Sequence, residues 1–139
     1  RITEFNMPGR GYPADEKNRQ VQLTPLQEEA KAKEIVDYYK ICFAHPAVEG
    51  IIMWGFWEGA NWIPASSLYK RDWSPTPAAE AYKNLIFNEW WTKESGTANR
   101  KGVFSTPAFY GKYRITVDGN SKIVDLTREK GKLIIDFRN

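Results

Sequence analysis

Apolar and polar positions along the chain form two similar patterns in succession. Residues 2–6, "ITEFN", are typical of the end of a buried strand. Residues 7–23 are rich in glycine, proline and charge, a composition that predicts a long loop. Residues 48–56 are almost entirely apolar and predict a strand that is buried on both faces, as in a parallel sheet. Residues 57–75 then form a second irregular stretch.

A helix is predicted after the first loop. It should start after Thr24, a suitable N-cap, with Pro25 at the first helical position and Gln27 completing a capping box. Its apolar stripe has helical spacing and consists of Ala32, Ile35, Val36, Tyr39 and Phe43. His45 and Pro46 should end the helix, and we expect the histidine to cap carbonyl groups rather than to act as a ligand or base.

A second helix is predicted after the second irregular stretch. It should begin near Thr76 and Pro77 and run to about Trp91. Its inner side should consist of Ala78, Tyr82, Leu85 and Ile86. The order of strand, loop and helix therefore occurs twice, which predicts two βα units of a parallel α/β fold.

The character of the chain changes after the second helix. Residues 93–102 form a polar linker. Three short segments rich in β-branched and aromatic residues follow, at 109–117, 123–126 and 133–137. Turn sequences at 118–120 and 129–131 separate them, so we expect an antiparallel β-meander of three or four strands. Because so few strands are marginal alone, the meander should pack against the α/β part.

Composition narrows the classes of function. The chain has 139 residues and a net charge of +3, and its charges are too scattered to indicate a nucleic-acid partner. Aromatic residues make up 14% of the chain and include 6 tryptophans. Composition alone favours a tryptophan-rich core, but a sugar site with pyranose rings stacked on indoles is the alternative. The single cysteine, Cys42, should be buried and inert, and no signal peptide or membrane span is visible.

A carboxylate and several indoles follow the two predicted strands. Glu4 lies at the end of the first strand, and Trp54 lies at the end of the second. Because the carboxyl ends of parallel strands meet at one rim, these residues should share a site. A carboxylate nucleophile flanked by aromatic faces is what a retaining glycosidase requires. No cluster of His, Cys and carboxylate residues has metal-ligand spacing, so we expect no metal or cofactor.

Three stretches resemble the family 10 glycoside hydrolases, the endo-β-1,4-xylanases. "ITEFN" resembles the nucleophile motif of that family, "HPAVEGIIMWGFWEGANWIP" its last barrel strand and loop, and "SLYKRDWSPTPAAEAYKNL" the end of its barrel. The resemblance covers residues 1–92 and implies the last two βα units of a (β/α)8 TIM barrel. Residues 93–102 would then be a linker, and residues 103–139 a small antiparallel β extension packed on the barrel.

The resemblance implies roles for individual residues. Glu4 matches the nucleophile. The implied substrate-binding residues are Trp54, Trp57, Asn61 and Trp62. Trp54 and Trp62 match the two indoles that wall the sugar subsite, although core packing is a credible alternative for Trp54. Trp57 is either a further stacking platform or a lid. Glu58 is expected to be a charge at the rim of the site.

The chain departs from the family pattern in two respects. Phe5 and Asn6 stand where leucine and aspartate are common, which should tune the loop without abolishing catalysis. The W-N-E-like motif that carries the general acid/base glutamate does not occur in this sequence. Retaining chemistry needs two carboxyl groups about 5–5.5 Å apart, so the second one is expected on an upstream barrel segment, covalently joined or nicked.

The resemblance thus implies a secreted or periplasmic endo-1,4-β-xylanase, of which this chain is the C-terminal portion. Its partners would be xylan or another β-1,4-linked polysaccharide and the upstream barrel segment, with no nucleic acid and no membrane. The alternative is a non-catalytic carbohydrate-binding or structural fragment.

Overall fold

The computed structural model describes residues 1–9 and 22–137. The predicted loop at 7–23 therefore lies largely outside the described residues. The chain divides into two compact units, Arg1–Glu89 and Trp90–Asn139. The first contains β1 (Ile2–Phe5), α1 (Pro25–Ala44), β2 (Ile51–Met53) and α2 (Pro77–Asn84), and the second contains β3 (Gly111–Val117) and β4 (Asn120–Leu126). The order of strands and helices in the first unit is the predicted one.

Strands β1 and β2 pair in parallel, with Ile2 opposite Ile51 and Phe5 opposite Met53. β1 uses one more residue than β2 between these two pairs, so the register is irregular there. The backbone at Glu4 has a φ of 59°, in the left-handed region that glutamate seldom adopts. Bulges of this kind turn a side chain away from the regular alternation of a strand. The irregular register therefore gives the Glu4 side chain a direction that a regular strand would not.

The burial of β2 differs from the prediction. Residues 48–56 were expected to be buried on both faces, but the Ile52 side chain is 55% exposed. Ile51 and Met53 are only partly buried. Both faces of a parallel strand are buried only where other layers pack on both sides of the sheet, and among the described residues the face that carries Ile52 stays open.

Helix α1 begins as predicted. Thr24 Oγ1 accepts a hydrogen bond from the backbone N–H of Gln27 at 3.3 Å, and Gln27 Oε1 accepts from the backbone N–H of Thr24 at 2.9 Å, which completes the capping box. At the other end, the backbone N–H of His45 donates to the carbonyl of Cys42 at 3.2 Å. The imidazole instead accepts at Nδ1 from the N–H of Ala47 at 3.2 Å. The backbone of His45, rather than its side chain, therefore caps the helix.

The buried stripe of α1 is partly the predicted one. Ile35 and Tyr39 are buried, and so is Cys42, whose burial was predicted. Phe43 was expected to be buried but is 55% exposed. Cys42 lies seven residues after Ile35 and falls on the same face of the helix, whereas Phe43 is rotated about 100° beyond it.

Helix α2 closes the core of the first unit. Thr76 Oγ1 caps it by accepting from the N–H of Ala79 at 3.3 Å. Ala78 and Leu85 are fully buried, as expected. The α-helix ends at Asn84 and continues as a π-helical turn, Leu85–Glu89, rather than as an α-helix to Trp91. The two helices meet through Tyr39 and Tyr82, whose rings pack edge to face with centroids 5.2 Å apart.

The second unit contains an antiparallel hairpin of β3 and β4. Asp118 and Gly119 connect the strands with φ angles of 47° and 83°, as a two-residue turn between twisted strands requires. The expected third strand at 133–137 does not form among the described residues. That segment instead meets the hairpin through a side chain, because Lys122 Nζ donates to the Asp136 carbonyl and lies 4.9 Å from the centre of the Phe137 ring.

A buried lysine joins α1 to the segment Pro64–Ser66. The Lys31 side chain is 1% exposed. Its Nζ donates to the carbonyls of Ala65 at 2.9 Å and Ser67 at 3.2 Å, and it lies 2.8 Å from Glu28 Oε2. Burial lowers the pKa of this ammonium group, and the hydrogen bond with Glu28 opposes that shift. The sequence pattern gave no indication of this contact, because a lysine among helical polar residues is usually solvated.

Replacing Lys31 with methionine should destabilise the first unit. The change leaves two carbonyl oxygens and the Glu28 carboxylate without their common donor, and we expect the free energy of unfolding to fall by about 3–5 kcal/mol. Denaturant unfolding of the protein measures the loss. Lys33→Met is the matched control, because Lys33 pairs with Asp37 on the exposed side of the same helix. Equal shifts for the two variants would contradict a structural role for Lys31.

Candidate functional site

An open cleft lies where β1 and β2 end. Its volume is about 590 Å³. The described residues that line it are Glu4, Asn6, Trp54, Ala60 and Trp62. The predicted nucleophile and both predicted tryptophan walls therefore lie in one cleft, which we call the Glu4 cleft.

Glu4 is the carboxylate among the described lining residues of this cleft. Its side chain is exposed, while the next residue, Phe5, is buried and stacks on the Tyr38 ring with centroids 4.3 Å apart. Phe5 also accepts a backbone hydrogen bond from the N–H of Trp54 at 3.0 Å. A well-anchored neighbour and a left-handed φ together set the direction in which the Glu4 side chain leaves the backbone.

The two tryptophan walls come from two separate positions in the loop that follows β2. Trp54 directly follows β2 and is 50% exposed, and Gly55 then turns the chain with a φ of 73°. Trp62 is 42% exposed and lies between two short 3-10 turns, Glu58–Ala60 and Pro64–Ser66. Half-exposed indoles beside a carboxylate are suited to stacking on the apolar face of a sugar ring.

Asn6 is a lining residue that the sequence analysis did not assign to the site. Its Oδ1 accepts a hydrogen bond from Ser66 Oγ at 2.8 Å. This bond joins the end of β1 to the loop that carries Trp62. The position of Asn6, two residues after Glu4 on the same strand end, was the sequence feature that could have identified it.

Trp57 does not belong to the described lining of the Glu4 cleft. Its indole stacks on Trp73, with centroids 5.1 Å apart and an angle of 12° between the planes. Its Nε1 donates to the Arg71 carbonyl at 3.3 Å. Both contacts hold the loop together, and the proposed role of Trp57 as a platform or lid stays a prediction.

Glu58 and Asn61 also make contacts within the loop. Glu58 accepts from Gln22 Nε2 and from the backbone N–H of Arg71, each at 3.1 Å, so its carboxylate joins two segments. Its place at the rim of the site stays a prediction. Asn61 is 6% exposed, and its amide bonds to neighbouring loop groups. Its assignment to substrate binding stays a prediction.

Within residues 1–9 and 22–137, no group of three or more His, Cys, Asp and Glu side chains is placed to hold a metal ion. Among the helices described there, none is long and apolar enough to cross a membrane.

Comparison with known proteins decides the family. Residues 1–105 match the sequence profile of glycosyl hydrolase family 10. The chain belongs to glycosyl hydrolase family 10. Its resemblance to that family is thereby confirmed, and a family 10 domain implies that the first unit is a fragment of a TIM barrel.

Three relatives illustrate the range of similar proteins. The chain is 37% identical over 122 residues to the anti-sigma-I factor RsgI6 of Acetivibrio thermocellus, covering 84% of this chain and 16% of that protein. It is 32% identical over 96 residues to endo-1,4-beta-xylanase 2 of Arabidopsis thaliana, covering 68% of this chain and 9% of that protein. It is 31% identical over 78 residues to endo-1,4-beta-xylanase B of Cellvibrio japonicus, covering 56% of this chain and 12% of that protein. The chain thus spans less than a fifth of the length of each of these relatives.

Proposed function

We propose that this family 10 chain is part of a retaining endo-β-1,4-xylanase and supplies its nucleophile, Glu4. The observation that carries the proposal is the meeting of Glu4, Trp54 and Trp62 in one open cleft. Similarity to xylanases of a plant and a bacterium supports the reaction class.

The proposed reaction has two steps. A Glu4 carboxylate oxygen attacks the anomeric carbon of a bound sugar and forms an ester, while the glycosidic oxygen leaves with a proton from a second carboxyl group. Water then attacks the same carbon, gives its proton to that second group and releases Glu4 as a carboxylate. The second group would lie on another segment of the barrel, about 5–5.5 Å from Glu4.

The substrate proposed for the cleft is a β-1,4-linked polysaccharide, with xylan favoured by the names of the xylanase relatives. The two indoles would hold one sugar ring beside Glu4, and an open cleft accommodates an internal position of a long chain. Family 10 xylanases act on extracellular material, so we also propose a secreted or periplasmic protein. Release of reducing sugar from xylan by the full-length protein tests this function.

Replacing Trp62 with alanine should weaken transition-state binding by about 1–3 kcal/mol, by analogy with the stacking of aromatic side chains on nucleic-acid bases. The fold should survive, because Trp62 is a half-exposed loop residue. The measurement is kcat/KM on xylo-oligosaccharides together with the melting temperature. Trp91→Ala is the control, an exposed tryptophan of the second unit that does not line the cleft. A large drop in melting temperature with unchanged kinetics would identify Trp62 as a core residue instead.

A second candidate function is carbohydrate binding without turnover, as part of a regulatory protein. A protein named as an anti-sigma factor aligns with 84% of this chain at 37% identity, and this similarity favours the second candidate. Under this function, the full-length protein would bind xylo-oligosaccharides, detected by quenching of tryptophan fluorescence, and would release no reducing sugar. The two assays run on one preparation therefore separate the two candidates.

A further inference from the structure

Asn61 lies behind the two tryptophan walls of the Glu4 cleft. It directly precedes Trp62 in the chain, yet its side chain is 6% exposed and does not line the cleft. The amide makes contacts in three directions, and each leads to a different part of the cleft wall.

The first contact reaches the backbone beside Trp54. Asn61 Nδ2 donates to the carbonyl of Gly55, the residue after Trp54, at 2.5 Å. Gly55 has a φ of 73°, and a Cβ added there would lie 2.7 Å from the Cγ and Oδ1 atoms of Asn61. A glycine is therefore needed at position 55 both for its conformation and for the close approach of the amide.

The second contact reaches the backbone beyond Trp62. Asn61 Oδ1 accepts from the N–H of Ile63 at 3.1 Å. The Ile63 side chain is fully buried. Trp62 is thus flanked by Asn61, which supplies the amide, and by Ile63, which donates its backbone N–H to that amide and is anchored in the core.

The third contact leads towards Glu4. Asn61 Nδ2 lies 3.0 Å from Ser66 Oγ, which in turn donates to Asn6 Oδ1 at 2.8 Å. Asn6 is two residues after Glu4 at the end of β1. The same NH₂ group also donates to Ser67 Oγ at 2.8 Å, so its two N–H groups serve three oxygens.

We infer that Asn61 is a positioning residue, which fixes the positions of the two indoles relative to each other and to the end of β1. It does this by fixing the backbone next to Trp54 and next to Trp62, not by touching substrate. The inference deepens the proposed function, since its effect on catalysis rests on the Glu4 cleft binding a sugar chain. The geometric part concerns only the protein and holds without a ligand.

The test compares Asn61→Ala with Ser67→Ala in the full-length protein. Ser67 is a buried neighbour whose hydroxyl accepts from the same amide, whereas Asn61 itself bonds to the backbone beside both tryptophans. 5-Fluorotryptophan placed at position 54 or 62 gives one ¹⁹F resonance for each wall. We expect both resonances to shift in Asn61→Ala and to keep their positions in Ser67→Ala.

Binding of xylohexaose supplies the second readout. In a Glu4→Gln background, which prevents turnover, the dissociation constant should rise about tenfold or more in Asn61→Ala, as expected when a binding wall is displaced. It should change little in Ser67→Ala. Equal effects of the two substitutions, or native resonances and affinity in folded Asn61→Ala, would overturn the inference.

Asn61→Ser keeps the test decisive if the alanine variant does not fold. The shorter serine hydroxyl can reach one of the two backbone partners but not both, so one of the two resonances should move. Native positions for both would overturn the inference. If the full-length protein neither binds nor cleaves xylan, the proposed function fails, while the ligand-free ¹⁹F comparison still decides whether Asn61 positions the tryptophans.

Discussion

Replacing Glu4 with glutamine in the full-length protein should lower turnover on xylan by several orders of magnitude while xylo-oligosaccharides still bind. The amide has nearly the size of the carboxylate but cannot form the glycosyl ester, so the interaction lost belongs to the reaction and not to ground-state binding. The measurements are initial rates of reducing-sugar release and the dissociation constant of xylohexaose. Because Glu4 is exposed, the melting temperature should change little.

Glu49→Gln is the matched control for this experiment. Glu49 is an exposed glutamate that pairs with Arg1 at 3.5 Å, with both side chains 73% exposed, and it lies just before β2. Its replacement should leave turnover unchanged. Near-normal turnover in Glu4→Gln would refute the assignment of the nucleophile. Loss of both turnover and binding would instead make Glu4 a binding residue.

A polypeptide limited to residues 1–139 should release no sugar from xylan. Retaining hydrolysis needs a second carboxyl group beside the nucleophile, and Glu4 is the one carboxylate among the described residues that line the cleft. The first unit also exposes large apolar side chains, including Ile41 at 69% and Ile52 at 55%, which favour association with other chains. A reducing-sugar assay and a sedimentation experiment on the purified polypeptide check both parts of this expectation.

Adding back the remaining family 10 barrel should restore hydrolysis. A separate polypeptide that supplies those barrel units would cover the exposed face of β2 and bring the second carboxyl group. The matched comparison uses the same added polypeptide with residues 1–139 carrying Glu4→Gln, which should restore folding but not activity. A monomer of residues 1–139 that folds and cleaves xylan unaided would contradict the prediction and require an acid/base residue within this chain.

The features predicted correctly from the sequence depend on neighbouring residues or on a general rule of sheet topology. Thr24 and Gln27 form the capping box of α1, and Thr76 caps α2, because capping chemistry acts within one helical turn. The turn at Asp118 and Gly119 likewise follows from residues that tolerate positive φ. The meeting of Glu4 with the two tryptophans in one cleft followed from the rule that parallel strands end at the same rim.

The features that the sequence did not predict depend on residues far apart in the chain. Lys31 is buried because carbonyl oxygens 34 and 36 residues away accept its hydrogen bonds, and periodicity alone treats a lysine as solvated. The resemblance implied substrate binding for Asn61, but nothing in the sequence indicated that the hydroxyls of Ser66 and Ser67 and the Gly55 carbonyl surround its amide. Local pattern gives residue type and spacing, whereas the partner that satisfies a buried polar group is a property of the folded chain.

The left-handed backbone at Glu4 has a consequence for directed evolution of heat resistance. Glycine adopts a φ near 59° without the steric cost that glutamate bears there, about 1–3 kcal/mol for residues in such regions. A library screened only for survival on heating would therefore enrich Glu4→Gly, which relaxes the strand and discards the carboxylate. At this position, selection for heat resistance favours glycine, whereas the proposed chemistry requires glutamate. A useful screen must therefore score hydrolysis after every heating step.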